Sequence, residues 1–84
     1  MSIDDTYIVK QLKADTAKGF ALLVKHYTEP IYWHIRRMVV SHDDAQDAMQ
    51  ETFIRIYRSV GSYEDSHSLS AWIYKIATRE SSAG

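Results

Sequence analysis

The chain contains no cysteine. A disulfide staple and a thiolate metal site are therefore both excluded. Proline occurs once and glycine three times, and no Pro/Gly-rich linker or low-complexity segment interrupts the chain. No apolar run approaches the roughly 20 residues of a transmembrane helix. The first ten residues, MSIDDTYIVK, are acidic and lack the basic-then-apolar pattern of a signal peptide. A cytoplasmic location with no membrane association fits these absences. Positive charge is not in excess either: ten Lys and Arg stand against eleven Asp and Glu, a net charge of −1 with histidines neutral. A self-sufficient nucleic-acid-binding module draws much of its affinity from neutralised phosphates. This chain either does not bind nucleic acid or does so within a larger assembly.

What is present is helical periodicity. With 84 residues, 45% apolar and 25% charged, one domain with one modest core is expected. A short first helix is predicted over residues 6–13, N-capped by Asp4 or Asp5, with Ile8, Val9 and Leu12 on its packing side. A second helix starts at Thr16 or Ala17. It carries Phe20, Leu23, Val24, Tyr27, Ile31, Ile35 and Met38 at helical spacing. Pro30 removes one backbone donor but leaves the stripe in phase, which predicts a kink and not a break. Leu22 and Trp33 fall on the other side and require a second buried contact, so this helix is placed centrally. Ser41 N-caps a third helix, with Asp43 and Asp44 in the first turn where the helix dipole favours negative charge. Gly61 marks its end. A polar loop over residues 62–67 leads to Ser68, the N-cap of a last helix. Leu69, Trp72, Ile73 and Ile76 form that helix's buried stripe, while Tyr74, Lys75, Thr78 and Arg79 face outward. No segment alternates like a strand. The expected fold is all-α: a compact bundle of three main helices plus a short N-terminal one.

Residues 41–60, SHDDAQDAMQETFIRIYRSV, have two contrasting faces. At about 100° per residue, Ala45, Ala48, Met49, Thr52, Phe53, Ile56, Tyr57 and Val60 share one side. Asp43, Gln46, Asp47, Gln50, Glu51 and Arg58 share the other, with Ile54 in their midst. The ordinary reading is a solvated surface, on which like charges at i, i+4 are mildly unfavourable. An isoleucine ringed by carboxylates and carboxamides instead suits a face that docks a basic protein: one apolar anchor with a polar rim. Residues 43–47 also spell D-D-x-x-D, a magnesium–diphosphate pattern. That chemistry needs a second acidic helix and a deep cavity, neither legible in so short a chain. His42-Asp43 resembles the paired ligands of HD-type phosphohydrolases, but the four histidines form no helical i, i+4 pair. Surface histidines are the simpler reading.

Three segments together resemble a known family. Residues 44–53, DAQDAMQETF, resemble the D-A-E-D-x-x-Q-E-x-F signature of bacterial sigma factors, region 2.2. Residues 70–78, SAWIYKIAT, resemble the W-L-Y-x-I-A signature of region 2.3, in the same order and at a similar separation. Phe20, Leu23 and Tyr27 are similar to the F-x-x-L-x-x-x-Y spacing of region 2.1. The resemblance spans residues 17–80 and points to the extracytoplasmic-function class.

The resemblance implies domain 2 of such a factor, a single helical domain over residues 1–84, cut short before a basic segment and a C-terminal helix-turn-helix domain. It implies a transcription initiation role with no enzymatic activity, cofactor or small-molecule substrate. The partners implied are the clamp helices of the RNA polymerase core, promoter −10 DNA within the holoenzyme, and an anti-sigma factor. On the polymerase side, Asp44, Asp47, Gln50 and Glu51 match signature positions, Asp43 shares their face, and Ile54 would be the anchor. Gln46 departs from the family's usual Glu. On the DNA side, the loop before the last helix would hold a flipped base, and Tyr63, Ser66, His67 and Ser68 supply aromatic and polar groups for it. Tyr74, Lys75 and Arg79 would follow from the helix itself. Glu64 and Asp65 are awkward near phosphates, and Arg79 departs from the family's Asn. The alternative is a small helical adaptor whose acidic face docks a basic partner, with no role in DNA melting.

Overall fold

The computed structural model describes residues 4–63 and 68–82. It contains four α-helices: α1 (Asp5–Ala14), α2 (Thr16–Arg36), α3 (His42–Ser59) and α4 (Leu69–Ser82), with a 3-10 turn at Val60–Ser62. Among the described residues there is no strand. The all-α expectation holds.

Each helix starts where a short polar side chain can satisfy a first-turn amide. Asp4 accepts from Tyr7 N at 2.9 Å, Asp15 from Lys18 N at 3.2 Å, Ser41 from Asp44 N at 3.1 Å and Ser68 from Ala71 N at 3.2 Å. Such caps contribute about 1 kcal/mol each. Asp15 also ends α1, its amide donating to Gln11 O, so one residue joins two helices. This tight joint forces α1 back along α2. There Gly19 comes so close to α1 that an added Cβ would lie 2.4 Å from Leu12 N.

The central helix is α2, which packs on α1, α3 and α4. Leu23, Tyr27, Ile31 and Ile35 are buried along it. The helix runs unbroken through Pro30, and Ile31 and Ile35 beyond it keep the phase of Leu23 and Tyr27. Around that spine the core collects Ile8 and Leu12 from α1, Ala45 and Ile56 from α3, and Leu69, Ile73, Ile76 and Ala77 from α4. Thr52 is fully buried among them. Its hydroxyl donates to Ala48 O at 2.7 Å, so the burial leaves no polar group unsatisfied. Tyr27 ties three helices together. Its hydroxyl donates to Asp5 of α1 at 2.5 Å and also meets Ser70 of α4.

Several sequence expectations need correction. Met38 does not extend the α2 stripe. The helix ends at Arg36, and Met38 sits exposed in the following turn, its amide bonded to Ile35 O. Trp33 finds no second buried contact and is 54% exposed. Gly61 does mark the end of α3, which stops at Ser59 and tightens into a 3-10 turn over Val60–Ser62; no glycine among the described residues has positive φ. Trp72 is only half-buried in the α4 stripe, and Ala77 takes a fully buried place instead.

Two outcomes follow from these contacts. Gly19→Ala should destabilise the fold by about 1–3 kcal/mol, because the atoms facing the new methyl are α1 backbone and cannot swing aside; urea denaturation reads this directly. Burial first, and then acceptance by Asp5, push the Tyr27 phenol above its ordinary value. The folded chain therefore holds that proton more tightly than the unfolded chain does. The stabilisation is complete below about pH 10 and is lost as pH rises further. Above about pH 10, stability of the wild type should therefore fall more steeply than that of Tyr27→Phe.

Candidate functional site

Burial of Ala45, Thr52 and Ile56 turns the opposite side of α3 to solvent. Asp43, Asp44, Asp47, Gln50, Glu51 and Ile54 are all exposed there. The structure thus brings together every residue expected on the polymerase side. Gln46, at the edge of this face, is half-buried.

The two flanks of this face differ in chemistry. Toward α4 lies a groove lined by Val39, Val40, Asp44, Asp47, Ala48, Glu51, Glu80 and Ser81. Arg55 bridges α3 to α4 through its Nε, 2.8 Å from Glu80 Oε1. Toward α2 lies an apolar hollow lined by Phe20, Phe53, Ile54, Tyr57 and Arg58. Phe20 and Tyr57 meet edge to face with centroids 4.9 Å apart. Two corrections follow. Ile54 is not an island among polar groups but the outer edge of an aromatic patch. Tyr57, expected on the buried side, is 49% exposed. The first differs because Phe20 arrives from another helix, a proximity that periodicity within α3 does not contain; the second follows from α3 itself, since Tyr57 lies about 140° round the helix from buried Thr52.

Of the residues expected on a DNA side, Lys75 and Arg79 are exposed one turn apart on α4. Spacing of i, i+4 places both cations on the same side of the helix. Tyr74 does not simply face outward. It is half-buried, edge to face against His34 at 4.9 Å and Tyr27 at 6.4 Å. His34 Nε2 also lies 2.9 Å from Thr78 Oγ1. His34, an α2 residue that the sequence marks only as a surface histidine, therefore belongs to the outward side of α4. Tyr63 is half-buried against Trp72, with centroids 5.1 Å apart. Burial first, and then the nearby Asp5 carboxylate, raise its phenol above the ordinary value, which keeps it neutral. Ser68 uses its hydroxyl to cap α4. Ser66 and His67 lie outside the described residues, as do Glu64 and Asp65. His42, the histidine of the His-Asp pair, has its Nδ1 2.6 Å from the Tyr32 hydroxyl. Among the described residues no group of three or more His, Asp or Glu side chains is placed to hold a metal ion.

The Sigma-70 region 2 family model matches residues 23–82. The chain belongs to the sigma-70 region 2 family. It is 37% identical over 70 residues to the ECF RNA polymerase sigma factor SigW of Bacillus subtilis, covering 83% of this chain and 37% of that protein. It is 34% identical over 73 residues to the RNA polymerase sigma-H factor of Pseudomonas aeruginosa, covering 87% and 38%. With the ECF RNA polymerase sigma-E factor of Escherichia coli K12 it shares 32% over 75 residues, covering 89% and 39%. The chain thus spans less than two-fifths of the length of these relatives. A solved structure of an engineered region 2 of sigmaE in complex with GTAAAA matches with a TM-score of 0.85 and 32% identity, over 99% of this chain and 88% of that one. The region 2 expectation and the extracytoplasmic-function class are both met.

Within this region 2 fold, neighbouring α3 isoleucines should behave differently. Ile56 has no exposure, and Ile54 is 43% exposed. Ile56→Ala should cost about 2–5 kcal/mol of stability and Ile54→Ala under about 1 kcal/mol, as read by urea denaturation.

Proposed function

We propose that this chain is the part of an extracytoplasmic-function sigma factor that docks on the RNA polymerase core and captures promoter −10 DNA. The observation that carries this reading is the match, over nearly the whole chain, to a region 2 solved with GTAAAA. The docking face is α3. Its carboxylates would pair with basic side chains of the clamp helices in charge-assisted hydrogen bonds, and Ile54 with the adjoining aromatics would fill an apolar site on the partner. The DNA side is the loop before α4 together with α4. Lys75 and Arg79 would grip phosphates, while Tyr63, Ser66, His67 and Ser68 would surround an extruded base. Tyr74, held by His34 and Tyr27, would offer a fixed edge beside them. The role is one of binding and strand capture, with no covalent chemistry and no cofactor. It is exercised in the cytoplasm, where polymerase is. An anti-sigma protein would hold the free factor by covering the same docking face.

The charge balance fits this division. A net charge of −1 suits a chain that meets DNA only once the polymerase has positioned it.

Binding to a purified clamp-helix fragment of the polymerase tests the docking half. Glu51→Lys and Ile54→Ala should each weaken it by about tenfold or more while circular dichroism stays unchanged. Folded wild type that fails to bind where a known sigma domain binds would leave only a helical adaptor for some other partner. The DNA half is read in the presence of core polymerase. Lys75→Ala and Arg79→Ala should each flatten the salt dependence of single-stranded −10 binding by a slope of about 0.7.

A further inference from the structure

Trp33, which the fold leaves 54% exposed, borders a hollow of about 360 Å³ between α2 and α3. Glu29 and Tyr32 of α2 and Gln46 and Met49 of α3 share that lining. The Trp33 indole meets the Tyr32 ring at 82° with centroids 5.0 Å apart, so the two π systems form a corner. The Tyr32 hydroxyl lies 2.6 Å from His42 Nδ1, which ties that ring to α3. Glu29 is exposed one turn before Trp33, on the same face of the helix. Among the described residues no hydrogen bond or ion pair engages its carboxylate. Among those residues, too, the hollow is lined by no Lys or Arg, and by none of Asp43, Asp44, Asp47, Gln50, Glu51 and Ile54. It is an aromatic corner with one unpaired negative charge, separate from the acidic face of α3.

We propose that this corner is a cation-binding site on α2 that takes the guanidinium of one arginine from a protein partner. Of the aromatic side chains, indole attracts a cation over its face most strongly. A guanidinium is planar and weakly hydrated, so it can lie on the Trp33 ring while its N–H groups donate to the Glu29 carboxylate. The Gln46 carboxamide supplies a further acceptor from α3, and Met49 receives the aliphatic stem. A lysine ammonium is a compact, strongly hydrated charge and suits a flat ring less well. A metal ion needs several oxygen ligands, and no group of three or more His, Asp or Glu among the described residues would hold one. A nucleobase would stack on the indole, but its phosphates would meet Glu29 with no cation in the lining to offset it. The site lies outside the residues assigned to polymerase docking and does not depend on that reading.

The probe is the peptide acetyl-Ala-Arg-Ala-amide, compared with its Lys and Gln counterparts at matched ionic strength. The readout is the Trp33 indole N–H resonance of the whole chain, told apart from that of Trp72 by Trp33→Phe. The Arg peptide should move that resonance progressively, the Lys peptide by about half as much or less, and the Gln peptide scarcely at all. Glu29→Gln should reduce the Arg-peptide shift by about threefold, and Glu51→Gln should leave it unchanged. Trp33→Leu, followed through the Gln46 side-chain amide, should abolish the response, with circular dichroism unchanged in all three variants. Equal reduction by Glu29→Gln and Glu51→Gln would show only a general attraction to carboxylates and would overturn the site. A Gln-peptide shift as large as that of the Arg peptide, or no shift by the Arg peptide, would overturn it as well. An equal shift by free guanidinium chloride would assign the corner to a small cation and overturn the arginine side chain as its occupant.

Discussion

Ala45, Thr52 and Ile56 have no solvent exposure at all, and the placement of the α3 face follows from that burial. A helix has one circumference. Once this stripe is pressed between α2 and α4, Asp43, Asp47, Gln50, Glu51 and Ile54 can only point away from the core. Small residues make the press possible: Ala45 lets the neighbouring helices approach, and Thr52 turns its hydroxyl back onto its own helix at Ala48 O. The acidic face is therefore a consequence of core packing and needs no structure of its own.

The same central helix that receives α3 also organises the outward side of α4. Tyr27 of α2 reaches Asp5 of α1 and Ser70 of α4, and its ring meets Tyr74. His34, two turns further on, meets Tyr74 and Thr78. These contacts hold α4 at a fixed rotation about its axis, which sets the direction of Lys75 and Arg79. An exposed helix held only by apolar stripes could rotate by a fraction of a turn at little cost; polar and aromatic contacts with defined geometry limit that freedom.

The proposed docking and strand capture make opposite electrostatic demands, and the groups that would meet them stand on two different helices. Carboxylates gather on α3, and the exposed cations Lys75 and Arg79 stand on α4. Arg55 and Glu80 form a direct ionic link between the two helices, at 2.8 Å. Arg55 is exposed while the Glu80 side chain is only 11% exposed, so the pair lies between the surface and buried cases.

The helices themselves were legible from residue order alone. Each N-cap is a local matter, settled by Asp4, Ser41 or Ser68 and the amide three residues on, and each buried stripe repeats at helical spacing. The acidic face was legible for the same reason, since residues sharing a face of one helix are fixed by the period of that helix. What the sequence could not hold was proximity between helices. Nothing in residues 41–60 says that Phe20 will stand beside Ile54 and turn an isolated anchor into an aromatic patch, or that Glu80 will close a groove against Val40. Trp33 and Met38 misled in the converse way: Met38 continues the α2 stripe and Trp33 calls for a second contact on the other side, yet both are exposed. Periodicity determines which side of a helix is apolar; only the packing of one helix on another decides which apolar side is buried and which polar groups from distant segments meet.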